Sequence, residues 1–226
     1  MKLLLINSNI ESSFAASFIE GKIDVKYASD YLDSSEKAYL KSPDKLIHCL
    51  KYITDSITGT GVRPDELDAI CVITGPGSFT GIRVGLALAK GTANTLNKKI
   101  IPVDNFELIQ KQAENFINQD KYCFLIPAKR PEFYYKLFEK NIEIESGCVL
   151  VDDFNAKFDK FTVLAGDFSH DYQEKLGYFN TLDKKNLNSE LDSMIKLAIE
   201  KYKKGKLYEP GKIEPVYMKE FIFKHS

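Results

Sequence analysis

Gly75-Pro76-Gly77-Ser78-Phe79-Thr80-Gly81 is the stretch of this 226-residue chain whose residue types and spacing could do chemistry. An apolar, β-branched run, Asp68 to Thr74, precedes it, and apolar positions at Ile82, Leu86, Ala89, Ala93 and Leu96 follow it. The unit reads as buried strand, glycine-rich turn, helix. Gly75 and Gly77 permit backbone angles that a side chain forbids, Pro76 stiffens the turn, and Ser78 or Thr80 can cap the helix. Backbone N–H groups at such a helix start can hold an anion. The finer spacing misses the better-defined chemistries. The glycines read G-x-G-x-x-x-G, one residue longer than the dinucleotide fingerprint, and no Gly-Lys-Ser/Thr follows for a P-loop. Phe79, not a serine, is central in Gly77 to Gly81, so there is no nucleophile elbow. By spacing alone, the stretch is a structural turn that packs a helix close to a sheet.

Metal chemistry is thinly supplied. His48, His170 and His225 are scattered singly, and Cys49, Cys71, Cys123 and Cys148 make no C-x-x-C pair. Cys71 and Cys123 lie in apolar runs and read as core; nothing argues for disulfides, so a reducing cytoplasm is expected. Gly166 and Asp167 read as a tight turn. Arg130, Glu132 and Tyr134 are polar groups on a strand, where alternation puts Glu132 and Tyr134 on one face. A structural ion pair and a cleft lining both fit them.

The elements that would position these groups follow from periodicity. Strands are predicted at residues 3–6, 14–19 and 23–27, a meander that opens the chain. A helix is predicted at 42–58, with Pro43 at its first position and an apolar stripe through Leu46, Ile47, Leu50 and Ile53. The strand, turn and helix unit comes next, then a strand at 99–103. The second half repeats the opening: a helix at 106–117, then strands at 122–126, 133–138 and 142–151. A strand near 161–164, a polar stretch at 169–188 without assignment and a helix at 190–202 complete it. Two lobes that each open with a meander suggest a degenerate duplication, divided at 1–104 and 105–226, with the C-terminal segment able to pack back on the first lobe.

The helix after the turn carries a second face, Gly81, Gly85, Leu88, Thr92 and Thr95, mostly small. Gly85 in mid-helix costs about 1 kcal/mol against alanine, and a small face lets another backbone come near. With the core served by Ile82, Leu86, Ala89 and Ala93, the small face is expected to be free for a partner helix. Hydrophobic residues make up 44% and the formal net charge is −1, so the composition is ordinary and no global field draws nucleic acid. Lys201 to Lys206 reads as the solvated end of a helix. No stretch approaches the ~20 apolar residues of a membrane helix, and Met1 to Ile6 is too short for a signal peptide.

Gly75 to Gly91, GPGSFTGIRVGLALAKG, resembles the signature of the TsaB (YeaZ) family. These are bacterial proteins needed to make threonylcarbamoyladenosine in tRNA. Ile101 to Leu108, Ala128 to Tyr135 and Pro215 to Lys219 are similar to later family segments. The resemblance implies an α/β chain of the actin/hexokinase/Hsp70-like (ASKHA) fold, two ribonuclease-H-like lobes with mixed sheets flanked by helices. It implies a non-catalytic subunit that binds and activates a TsaD-type transferase, with a TsaE-type ATPase as a further partner. It also implies self-pairing when isolated, tRNA met only indirectly, and no membrane.

TsaD-type relatives carry a metal-binding His-x-x-x-His where this chain has Asn105 and Ile109, so the catalytic metal site is expected to be absent. The family often reads Ile-Asp-Thr-Ser where this chain reads Ile6-Asn7-Ser8-Asn9, which weakens a claim to ATP hydrolysis. No tightly bound cofactor is expected, with ATP or ADP only at an interface of the complex. Partner contact is expected at Gly81, Arg83, Gly85, Leu88 and Thr92, with Leu46 and Leu50 from the helix at 42–58. Gly75, Pro76, Gly77, Ser78, Phe79 and Thr80 form the signature loop. The rival readings are an ATP-dependent kinase of the same fold, a metalloprotease-like protein, and a homodimeric scaffold unrelated to tRNA.

Overall fold

The computed structural model describes residues 1–8, 14–27, 55, 59, 61, 63–129, 131–159, 162–166, 179–183 and 187–218. The expected helix at 42–58, with Pro43, Leu46, His48 and Leu50, lies almost wholly outside them, and so do Asn9, Arg130, Asp167, His170 and His225. Two compact units divide the chain: Met1–Val103 with Met194–Pro215, and Asp104–Ser193 with the residues after Pro215.

The first unit is built on strands β1 (Lys2–Asn7), β2 (Phe14–Ile19), β3 (Lys22–Tyr27), β4 (Ala69–Gly75) and β5 (Lys99–Asp104). They lie in the order β3-β2-β1-β4-β5. β1 pairs antiparallel with β2, which pairs antiparallel with β3, while β1 runs parallel to β4. β1 and β4 are central and covered on both faces, which is why Leu3, Leu4 and Leu5 and every residue of Ala69–Gly75 are apolar or small and buried. Helix α1 (Phe79–Leu96) crosses from β4 to β5 and lays Ile82, Leu86, Leu88, Ala89 and Ala93 against Leu4, Ile6, Ile70, Val72 and Ile100. Asn97, left-handed at φ 53°, ends it, its N–H returning to the Ala93 carbonyl.

The second unit carries α2 (Asn105–Ala113), β6 (Lys121–Pro127), β7 (Glu132–Glu139), β8 (Ile142–Leu150), the short helix α3 (Phe154–Lys157), β9 (Val163–Gly166) and β10 (Asn180–Asp183). Its sheet order is β10-β9-β6-β7-β8. β6, β7 and β8 form the antiparallel meander, and β6, β9 and β10 run parallel to one another. Counted from its own first strand, this sheet has the same order as the first, 3-2-1-4-5. The chain is therefore two ribonuclease-H-like lobes of the actin/hexokinase/Hsp70-like fold. Phe106, Ile109, Tyr122, Phe124 and Phe138 fill one face of the second sheet, and Leu125, Phe133, Tyr135, Phe154 and Phe158 fill the other.

α2 starts with a capping box. Asp104 accepts from the Phe106 N–H at 2.6 Å, and Glu107 accepts from the Asp104 N–H at 3.0 Å. The last helix, α4 (Glu190–Lys203), leads into a segment that returns to the first sheet: Tyr208 and Ile100 exchange backbone hydrogen bonds at 2.8 and 2.9 Å. Ile213 is buried in the first unit's core. Neither this bridge nor β10 is among the sequence-based expectations, because each is too short to show a period. No helix among the described residues is long and apolar enough to cross a membrane.

Candidate functional site

The signature loop joins β4 to α1, and its geometry is set from below by the end of β1. Gly75 closes β4 at φ 109°, in the region where a side chain is strained. Ser78 is the helix cap: its Oγ accepts from the Gly81 N–H at 3.2 Å. Ser8, just past β1, donates its hydroxyl to the Gly81 carbonyl at 2.6 Å. Asn7 and Ser8 are only 1% and 3% exposed.

Gly81 and Gly85 exist for this contact. A Cβ on Gly81 would lie 2.3 Å from the Ser8 carbonyl oxygen, and one on Gly85 would lie 2.2 Å from Ser8 Oγ. The first two turns of the helix rest directly on the end of β1, and only glycine leaves room. This corrects the expectation of a small face open to a partner: Gly81 and Gly85 are buried against their own strand, and Leu88 is buried in the core of its own unit. Spacing shows that a face is small without showing which backbone approaches it. Thr92 is half-buried, and Arg83 is exposed, its guanidinium 3.7 Å from the centre of the Phe79 ring.

The face of α1 that meets solvent runs through Phe79, Arg83, Ala87, Gly91 and Thr95, one residue every four. Phe79 is 43% exposed, and a Cβ on Gly91 would meet nothing within 4 Å. Ala87, Gly91 and Thr95 are all small in the sequence, but Gly81 and Gly85 mark a second small face on the same helix, and spacing does not say which of the two is covered.

Asn105 is buried at the start of α2, and Ile109 sits in the apolar cluster of the second unit. An imidazole at 109 would face Phe106, Tyr122 and Phe124 rather than a solvated site. Among the described residues no three His, Cys, Asp or Glu side chains converge as metal ligands would. Burial raises the Asp104 carboxyl above the ordinary value, opposed by the Phe106 N–H and by Lys136. Desolvation likewise pushes the Cys123 thiol far up, which makes it an inert core residue.

Glu132 lines a cleft of about 430 Å³ in the second unit, with Cys148, Val149, Leu150, Asp153, Ala156 and Lys157. Tyr134 packs against the apolar cluster around Phe106 instead. Lys157 donates to Glu145, which also accepts from the Tyr135 hydroxyl at 2.9 Å; these bonds lower the Glu145 carboxyl below the usual range. Of the charges lining the cleft, Lys157 is thus already engaged in pairing.

The family model described as TsaD, tRNA N6-adenosine threonylcarbamoyltransferase, matches residues 45–188, well over half of the chain. The chain belongs to this family. Within it the likeness runs to the TsaB (YeaZ) branch. The TsaB protein of Haemophilus influenzae is 30% identical over 86 residues, 38% of this chain and 36% of that protein. The TsaB protein of Escherichia coli is 21% identical over 141 residues, 62% of this chain and 56% of that protein. Both proteins are described as serving tRNA threonylcarbamoyladenosine biosynthesis. The match therefore spans between about a third and somewhat over half of the length of these two relatives. Among solved structures, YeaZ from Pseudomonas aeruginosa superposes with a TM-score of 0.66 at 20% identity, over 96% of this chain and 99% of that one. That likeness establishes the fold.

Proposed function

We propose that this TsaB-type chain is a non-catalytic scaffold subunit in the formation of N6-threonylcarbamoyladenosine on tRNA, where it binds and activates a TsaD-type transferase. The observation that carries the reading is Ile109. In a member of the TsaD family, the place that resemblance assigns to a metal-binding histidine is filled by a buried aliphatic side chain. The end of β1 supports the same reading. Asn7 there is neutral and buried, so no carboxylate at that position organises a metal and phosphates.

The transferase contact is assigned to the solvent face of α1, Phe79, Arg83, Ala87, Gly91 and Thr95. Small residues along that face allow a second helix to come close, and the Phe79–Arg83 pair offers an aromatic and cationic anchor of the kind that dominates interfaces. The same face would serve an isologous self-contact in the isolated protein. A TsaE-type ATPase completes the assembly, and nucleotide would be held only where subunits meet.

The test is co-purification with a TsaD-type partner, together with mass spectrometry of the nucleosides in tRNA from cells relying on the variant. Gly91→Arg is expected to leave a folded chain that no longer captures the partner and no longer supports the modification. A Gly91→Arg chain that still pairs and still supports modification would remove α1 from the interface.

A further inference from the structure

The segment Met194–Pro215 carries six lysines, at 196, 201, 203, 204, 206 and 212, against three glutamates. A basic end is expected on a helix, since cations offset the carbonyl dipole of its last turn. That accounts for Lys201 and Lys203, which lie in the last turn of α4. Lys201 is further occupied, donating to the Pro102 carbonyl at 2.7 Å. The dipole does not account for Lys204 and Lys206, which lie past the helix, nor for Lys98, between α1 and β5, and Lys212, at the end of a short 3-10 turn.

The Ile100–Tyr208 bridge brings these lysines to one edge of the first unit. Lys98 lies two residues before Ile100 and Lys206 two before Tyr208, and the two segments pair antiparallel at the bridge. The pair therefore flanks the bridge about 13 Å apart along its axis, at ~3.3 Å per residue. Lys99, beside Lys98, pairs with Glu209 at 3.6 Å, and Lys90 pairs with Glu214 at 3.4 Å. Lys98, Lys203, Lys204, Lys206 and Lys212 have no ion-pair partner among the described residues, and the last four are exposed. Tyr208 stands among them, 42% exposed.

We propose that this edge, formed by the end of α4, the segment through Tyr208 and the start of β5, docks the phosphate backbone of an RNA. Unpaired ammonium groups contact phosphates as point charges without reading sequence, and an exposed aromatic ring can stack a base. A membrane surface fits less well, because the apolar residues of α4 are buried or half-buried and Tyr208 is the only large apolar side chain exposed at this edge among the described residues. The choice of RNA rests on the functional reading above: a scaffold for tRNA modification that also held the tRNA would raise its local concentration at the transferase.

The experiment titrates the full-length chain against an unmodified tRNA transcript by fluorescence anisotropy between 50 and 200 mM salt. The triple variant Lys203→Gln, Lys204→Gln, Lys206→Gln is expected to bind at least tenfold more weakly at low salt. The slope of log K against log salt should flatten by about 2 to 3 units, since each lost phosphate contact removes ~0.7 to 0.9. Tyr208→Ala should weaken binding and leave the slope unchanged. Lys22→Gln, on β3 at the opposite edge of the same sheet, should change neither. A triple variant with wild-type affinity and slope would overturn the proposal, as would a wild-type chain that ignores tRNA at 50 mM salt or prefers anionic phosphatidylglycerol vesicles to it. Capture of the TsaD-type partner is measured on the same samples. If the wild type fails there, the scaffold reading is lost, whereas a failed tRNA titration beside intact capture removes only this surface.

Discussion

Gly85 and Gly91 sit on one helix, and the same change at each should have opposite consequences. At Gly85 an added methyl meets Ser8 Oγ at 2.2 Å, so alanine forces the helix off β1. Overpacking of that kind costs about 1–3 kcal/mol, offset by ~1 kcal/mol of helix propensity. At Gly91 the methyl meets nothing, so the propensity gain stands alone. Urea unfolding is therefore expected to show Gly85→Ala destabilised and Gly91→Ala stabilised by up to about 1 kcal/mol. If both shift the same way, Gly85 does not face Ser8. Asp104 gives a second test at this scale. Its carboxyl is raised by burial, so the native state holds that proton more tightly than the unfolded chain. That contribution is complete below the unfolded pKa and is lost as pH rises through the folded one. Asp104→Asn keeps an N-cap of equal quality and removes the titration. The variant lacks that loss, so its urea midpoint should gain relative to the parent's as pH rises through the acidic range; an unchanged profile would mean that other groups set it.

Elements declared themselves in the sequence where their period was long enough to count. α1 and α4 repeat an apolar face over several turns, and β1 and β4 are apolar without a break because parallel central strands are covered on both sides. The box at Asp104-Asn105-Phe106-Glu107 starts α2 one residue before the expected Phe106, because a cap is marked by polar side chains and not by the apolar period. β10 was not readable: Asn180–Asp183 is short, polar and half exposed, and it exists because β9 offers it a parallel edge. The candidate site was legible in its parts but not in its facing. Spacing picked out the loop, Ser78 and Thr80 as alternative caps, and a small-residue face. It could not show that Ser8, more than seventy residues earlier, fills the space beside Gly81 and Gly85, since that is a property of sheet order. The cap itself is testable: Ser78→Ala leaves the Gly81 N–H unpaired and should cost about 1 kcal/mol in unfolding experiments. Retention of full stability would assign the helix start to Thr80.

At the scale of the whole chain, the duplication is simple in its strands and broken in its connectivity. Each lobe repeats the order 3-2-1-4-5, yet the first is completed by Met194–Pro215, residues made after every strand of the second lobe. That return has content. Ile213 is 4% exposed and packs in the core that also holds Leu88, Ala89 and Ile100, and Tyr208 satisfies both backbone groups of Ile100. Without it, Ile100 would expose an unpaired N–H and C=O at the sheet edge and part of the α1 core would meet water. A fragment ending at residue 103 is therefore expected not to fold cooperatively, although it contains every strand of its sheet up to β5 and all of α1. In the intact chain, Ile213→Ala should cost about 2–4 kcal/mol through the cavity it leaves. Circular dichroism melts of the fragment and urea titrations of the variant decide the matter. A sharp, reversible transition in residues 1–103 alone, or an Ile213→Ala midpoint equal to that of the parent, would show that the returning segment decorates the first unit rather than completing it.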